Sequence, residues 1–208
     1  MKKNPLVAIV NTSACNLLSV IYACKSNEIN TKVIREYENP NSYDGIIFPG
    51  VGNFGFVSNL IFKNKLDKFI KHFIDKEKPG LFICLGMQIL FESSEESEKS
   101  KGLSIFKGHV KKIKKNITKI KSPIIGWNEI SIKKKSIFFE NIKNNNFYFT
   151  HSYFCDPKNR SDIHSTVEKE NFSYCSSINH KKIFACQFHP EKSSSSGLSI
   201  YKNLKLQL

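Results

Sequence analysis

At 208 residues and 23.9 kDa the chain can bury one sizeable core, and its 40% hydrophobic and 24% charged content is that of an ordinary water-soluble protein, with no apolar run near the ~18 residues of a membrane span. A formal net charge of +14 raises the question of nucleic acid. The lysines are dispersed, however, and Lys111-Lys112, Lys114-Lys115 and Lys133-Lys134-Lys135 read as solvated strand ends and turns without an aromatic stacking platform, so neither a nucleic-acid nor a membrane partner is expected.

Met1-Lys2-Lys3-Asn4-Pro5 leads directly into the apolar strand Leu6 to Val10 with no signal-peptide core, which predicts a cytoplasmic protein. Asn11-Thr12-Ser13 offers capping side chains ahead of a helix from Asn16 to Cys24, with Leu17, Val20, Ile21 and Cys24 on one face. Thr31 to Arg35 and Gly45 to Phe48 read as further strands, the latter ending in Pro49-Gly50-Val51-Gly52. Leu66 to Lys76 is amphipathic, with Leu66, Phe69, Ile70 and Phe73 inward, and Gly80 to Ile83 is a short apolar strand that runs into Cys84 and then an apolar-periodic, helical segment. Alternation of strands and helices predicts an open, mainly parallel α/β sheet with helices on both faces. Downstream, Gly108 to Ile113, Gly126 to Ile132, Phe147 to Tyr153, His164 to Val167, Phe172 to Ile178 and Ile183 to Phe188 read as strands between polar turns. They predict an antiparallel extension in the C-terminal half, closed by a helix from Ser193 to Leu206 behind capping serines. No linker or repeat divides the chain, so residues 1–208 are expected to form a single domain.

Sites in such sheets lie at the carboxyl ends of the strands, where Pro49 to Gly52 and Cys84 to Gln88 fall. Six scattered cysteines lack metal spacing and read as reduced thiols; no metal or cofactor is expected. Cys84, at a strand-to-helix turn, reads either as a small buried core thiol or as a nucleophile whose thiolate the helix N-terminus favours, with Gly86 permitting close chain approach. A nucleophile needs a base and the base an orienting group. His189 and Glu191, in Gln187-Phe188-His189-Pro190-Glu191-Lys192-Ser193, supply both types two residues apart in what reads as an extended segment. The turn at Gly50 to Gly52 and the N–H of Leu85 are candidate donors for an oxyanion, and His151 stands at a strand end where it can line a pocket. Taken singly, PGVG also reads as a plain turn and His189 as a surface or capping histidine.

Together these pieces resemble the class I (triad) glutamine amidotransferases, and among them the glutaminase subunits of imidazole glycerol phosphate synthases. The resemblance runs through NLLSV (16–20), FPGVGNFG (48–55), ICLGMQILFESSEE (83–96), GLSIFKGHV (102–110), GWNEI (126–130), FYFTHSY (147–153) and QFHPEKSSSSGL (187–198). It implies a flavodoxin-like fold that hydrolyses L-glutamine to L-glutamate and ammonia through a thioester on Cys84, with His189 as acid/base and Glu191 orienting it. It further implies an oxyanion hole at Val51 and Leu85 and a glutamine pocket of Gly52, Gln88, Glu96, His151, Ser152 and Tyr153. The implied partner is a (β/α)8-barrel cyclase/synthase subunit, joined in a heterodimer for histidine biosynthesis, with Asn16, Trp127 and Lys192 at the interface. Two places depart from the pattern. The first loop reads Asn11-Thr12-Ser13-Ala14-Cys15-Asn16-Leu17 where the family usually has D-x-G-x-G-N-L or D-T-G-C-A-N-L, and Ile124 stands in the place of the His of the common P-H-x-G-W-N. They motivate an alternative, a paralogous glutaminase feeding ammonia to an amidation in surface-polysaccharide sugar synthesis.

Overall fold

The computed structural model describes residues 4–12, 16–114, 122–169 and 172–208. Its first half alternates as the sequence predicts: β1 (Leu6–Val10), α1 (Leu17–Ser26), β2 (Asn30–Ile34), β3 (Gly45–Gly50), α2 (Phe54–Lys63), α3 (Leu66–Asp75), β4 (Gly80–Cys84) and α4 (Leu85–Gln88). There follow β5 (Ser93–Ser94), β6 (Gly108–Lys112), β7 (Ile124–Glu129), β8 (Ser131–Ile132), β9 (Asn146–His151), β10 (Tyr153–Pro157), β11 (Ile163–Lys169), β12 (Phe172–His180), β13 (Ile183–Cys186) and α5 (Ser194–Lys205).

Among the described residues the main sheet has eight strands in the order β2-β1-β3-β4-β13-β12-β11-β8. β2, β1, β3, β4 and β13 are mutually parallel, and β12, β11 and β8 continue the sheet antiparallel. Strand alternation divides the apolar side chains between two faces. Ala8, Val10, Ile46, Phe48 and Phe82 pack with Phe54, Val57, Ile61, Phe69 and Phe73 of α2 and α3. Val7, Ile9, Ile47, Leu81 and Ile83 pack on the other face with Val20 and Cys24 of α1 and Ile200, Tyr201 and Leu204 of α5. Both faces of the parallel strands are thus covered, which is why those strands read as continuous apolar runs.

Several expectations need correction. Helix α2 is not evident in FGFVSNLIFK, which is apolar on most sides; its start is marked by Asn53, whose side chain accepts the Phe56 N–H at 3.0 Å. The helix after Cys84 has only four residues. Leu103, Ile105 and Phe106 N–H groups bond to the carbonyls of Ile89 and Leu90, turning the following chain into a loop. Among the described residues the antiparallel extension is formed by β12, β11 and β8. β10-β6-β5 and β7-β9 pair as two small separate sheets. Helix α1 begins after Asn16 without a side-chain cap, and Ser13 to Cys15 lie outside the described residues. Ser193 does not cap α5 either; its hydroxyl donates to the His189 carbonyl at 2.6 Å and accepts the Tyr148 N–H at 2.9 Å.

Gly86 is where the fold has least room. A Cβ there would stand 2.1 Å from the Phe48 carbonyl oxygen of β3. Gly86→Ala is therefore expected to lower stability by about 2 kcal/mol, the scale of overpacking a close backbone contact, read as a lower urea midpoint with unchanged slope.

Candidate active site

β3, β4 and β13 are adjacent and parallel, so the three segments leaving their carboxyl ends meet: Val51-Gly52 after β3, Leu85 to Gln88 after β4, and Gln187 to Glu191 after β13. Gly50 pairs with Cys84 and lies against Leu85 and Gly86, bringing the glycine turn alongside the elbow. Cys84 itself has φ 53° and ψ −107°, a left-handed conformation that costs an L-residue on the order of 1–3 kcal/mol and that aims its side chain out of the strand line.

His189 is buried, and its Nδ1 lies 2.8 Å from Glu191 Oε1. The carboxylate can only accept, so Nδ1 carries hydrogen and Nε2 is the nitrogen left for chemistry. Nε2 is buried with no hydrogen-bond partner apart from its interaction with Cys84. Burial alone would lower the pKa of the ring, but the charge and hydrogen bonding of Cys84, followed by those of Glu191, outweigh it and raise it to about 10. The imidazolium form is thus favoured. The pair does not lie in an extended strand as its spacing suggests. Instead β13 ends at Cys186, and Pro190 begins a 3-10 turn (Pro190–Lys192) that folds Glu191 back toward the ring. The His189 main chain is held by β9, donating its N–H to the Tyr148 carbonyl at 2.8 Å.

One cavity of about 290 Å³ opens beside Cys84, lined by Val51, Gly52, Leu85, Gln88, Glu96, His151, Ser152 and Tyr153 together with Pro123 and Thr150. Every residue expected in the glutamine pocket and oxyanion hole is there; Pro123 and Thr150 were not expected. Glu96 puts a carboxylate in the wall, with Oε2 accepting the Phe54 N–H at the start of α2 at 2.7 Å. His151 Nδ1 is 2.8 Å from the Tyr153 carbonyl, which fixes that nitrogen as the donor and leaves Nε2 as a buried acceptor without a partner. Burial lowers the His151 pKa to about 4, so the ring is neutral at ordinary pH. Leu85 is the first residue of α4, so its N–H has no acceptor within the helix.

Of the described cysteines, all are free thiols, and Cys84 alone lines this cavity. Burial pushes Cys24 up to about 12 and raises Cys155, Cys175 and Cys186 too, which keeps them protonated. Among the described residues no group of three or more His, Cys, Asp or Glu side chains gathers in metal-binding geometry.

The expected interface residues lie on the surface. Trp127, 55% exposed, pairs with Tyr148 across β7 and β9, and Lys192 Nζ sits 5.7 Å above the Tyr148 ring, so Trp127, Tyr148 and Lys192 are contiguous. Asn16 is exposed at the head of α1, which packs near the Pro190–Lys192 turn. Ile124 is buried among apolar side chains opposite His151, whereas its neighbour Ile125 is exposed.

This arrangement of fold, elbow and histidine–carboxylate pair is that of a class of amidotransferase. The chain belongs to the glutamine amidotransferase class-I family, whose profile matches residues 9–207. Two solved structures share its fold at low identity. They are PurLQS from Thermotoga maritima, with TM-score 0.76, 15% identity and 97% of this chain against 98% of that one, and a glutamine amidotransferase from the same organism, with TM-score 0.59, 15% identity and 91% against 77%. Within the class its relatives include imidazole glycerol phosphate synthase subunits HisH. The Pyrococcus furiosus protein is 42% identical over 205 residues, covering 96% of this chain and 97% of the relative. That of Methanocaldococcus jannaschii is 44% identical over 202 residues, covering 95% and 97%. At that level the chain is a member of the HisH family.

The buried His151 makes a pH prediction. Its pKa is about 4 folded against 6.5 in the open, so between these values the unfolded chain takes up a proton that the folded chain does not. Its contribution is fully present above pH 6.5 and is lost as pH falls toward 4, by up to about 3 kcal/mol. Urea midpoints measured across that range should fall less steeply for His151→Gln than for the unaltered chain.

Proposed function

We propose that the chain is the glutaminase subunit of an imidazole glycerol phosphate synthase, hydrolysing L-glutamine to L-glutamate and ammonia and passing the ammonia to a cyclase partner in histidine biosynthesis. The observation that carries this reading is the convergence of Cys84, the His189–Glu191 pair and the cavity of Glu96 and His151 in a chain 42% identical to a HisH subunit. The departures at Asn11 to Cys15 and at Ile124 do not redirect it toward polysaccharide synthesis: the eight relatives compared, at 35 to 44% identity, all bear the imidazole glycerol phosphate synthase name.

In this mechanism His189 Nε2, as the favoured imidazolium, already holds the Cys84 proton, and the thiolate sulfur attacks the side-chain carboxamide carbon of glutamine. The oxyanion is met by the N–H groups of Leu85 and Val51. His189 returns the proton to the amide nitrogen, ammonia leaves, and a glutamyl thioester remains. Water, deprotonated by the same nitrogen, attacks the thioester; glutamate leaves and the thiolate is restored. Glu191 holds the ring tautomer and supports the imidazolium throughout. Glu96 supplies negative charge for the substrate ammonium, while Gly52, Gln88, His151, Ser152 and Tyr153 complete the pocket.

The partner is proposed to be a (β/α)8 barrel, seated over Asn16, Trp127 and Lys192. Residues 1–208 are proposed to act as one domain, supported by the two apolar clusters that share a single sheet. No described helix is long and apolar enough to cross a membrane. A cytoplasmic location is proposed with it, in keeping with the free thiols of the described cysteines.

The test is co-purification with the barrel subunit followed by glutaminase assays with and without the barrel's substrate. Cys84→Ala should remove activity by a factor on the order of 10⁴ or more while leaving the complex intact; hydrolysis surviving that change would refute the nucleophile. Trp127→Ala should weaken the complex by roughly 30-fold, as loss of an exposed aromatic anchor does, with Cys84 alkylation in the isolated chain unaffected; an unchanged dissociation constant would move the interface elsewhere.

A further inference from the structure

Gln187 lies outside the triad and the pocket, yet its side-chain Nε2 is 3.4 Å from Cys84 Sγ. It is completely buried, and its Oε1 accepts from Gln88 Nε2 at 3.2 Å. Gln88 Nε2 also donates to the Tyr153 carbonyl at 3.2 Å. An amide can be turned end for end, so the direction of such a chain must be argued. A main-chain carbonyl only accepts, so the end of Gln88 that meets Tyr153 is its NH₂ group. The same NH₂ then meets Gln187, which must present its oxygen. The NH₂ of Gln187 is therefore the end that faces the sulfur.

We propose that Gln187 is a further catalytic residue, an N–H donor to Cys84 Sγ whose direction is set by the Tyr153 carbonyl through Gln88, and which stabilises the anionic sulfur before attack and as it leaves the thioester. A donor aimed at sulfur bonds strongly to S⁻ and weakly to S–H, so it favours the charged form. The α4 helix, of four residues, contributes little dipole to the same end. No proton is transferred through Gln187; that role stays with His189.

This rests on the glutaminase reading for turnover but not for the sulfur itself, so the two are measured separately. Iodoacetamide alkylation of Cys84 is followed against pH by peptide mass spectrometry in the full chain. Gln187→Leu and Gln187→Met remove the donor, and Gln187→Glu keeps the shape while turning a carboxylate toward the sulfur. The profile is expected to move to higher pH in all three, with alkylation near pH 7 slowed roughly tenfold in Leu and Met and more in Glu. In the complex with the barrel subunit, kcat should fall roughly 10- to 100-fold with KM little changed. Folded variants whose alkylation profile superimposes on that of the unaltered chain would overturn the proposal, as would a loss confined to KM. Should leucine not be accommodated, methionine and glutamate carry the same two outcomes. An unaltered chain that hydrolyses no glutamine with its partner, yet whose alkylation profile responds to Gln187, would sink the functional reading and leave this inference standing.

Discussion

The site depends on one backbone reversal, the left-handed turn of Cys84 at the end of β4. A conformation of this kind costs an L-residue on the order of 1–3 kcal/mol and persists only where its surroundings leave no alternative. Here they leave none. β4 is flanked on both sides by parallel strands, its Phe82 stacks on Phe48 of β3 at 6.0 Å, and Gly86 runs against the Phe48 carbonyl with no room for a side chain. The same flanking explains why distant segments cooperate. With β3 and β13 both parallel to β4, the glycine turn and the His189 segment leave the sheet at the end where Cys84 does, and their meeting is a consequence of strand order.

Once the sulfur is placed, the hydrogen bonds around it acquire a direction from groups that can only accept. The Glu191 carboxylate fixes the tautomer of His189, and the Tyr153 carbonyl fixes both the tautomer of His151 and the amide of Gln88. A buried polar atom without a partner costs about 1–3 kcal/mol, so such atoms are rare without a reason. His151 Nε2 is one of them, on a cavity-lining ring, while His189 Nε2 has Cys84 alone to turn to. These two positions are where the chemistry needs capacity, and the surrounding hydrogen bonds are committed to holding them there.

How much of this was legible in the sequence follows from the range of each interaction. LVAIV, GLFIC and the inward face of α3 are local periodicities, and their strands and helix form close to where the pattern puts them. Helix α2 escapes because its sequence is apolar nearly all round and shows no stripe; Asn53 is the signal that marks it. Ser193 looks like a cap because serine before a helix usually is one, but its hydroxyl is already committed to Tyr148 and His189, partners that local sequence cannot reveal. The separation of β7-β9 and β10-β6-β5 from the main sheet is likewise a matter of long-range pairing. Cys84, His189 and Glu191 are readable as residue types at telling places. Gln187, two residues from His189, is not, because its function is created by Gln88 and Tyr153, which arrive from other elements.

The shortness of α4 gives that network its weight. A long helix behind the nucleophile would supply a diffuse positive end that is insensitive to small movements. Four residues cannot, so the sulfur must draw its stabilisation from discrete donors and from His189. Discrete hydrogen bonds weaken steeply once their angles are lost. The members of this network come from different elements: Gln187 follows a strand of the main sheet, whereas Tyr153, whose carbonyl accepts from Gln88 and so sets the polarity, begins β10 in the separate three-stranded sheet. A small displacement between those sheets would break the Gln88–Tyr153 contact and release the orientation of Gln187. The reactivity of Cys84 therefore rests on the orientation of this network in addition to the packing that holds its turn in place.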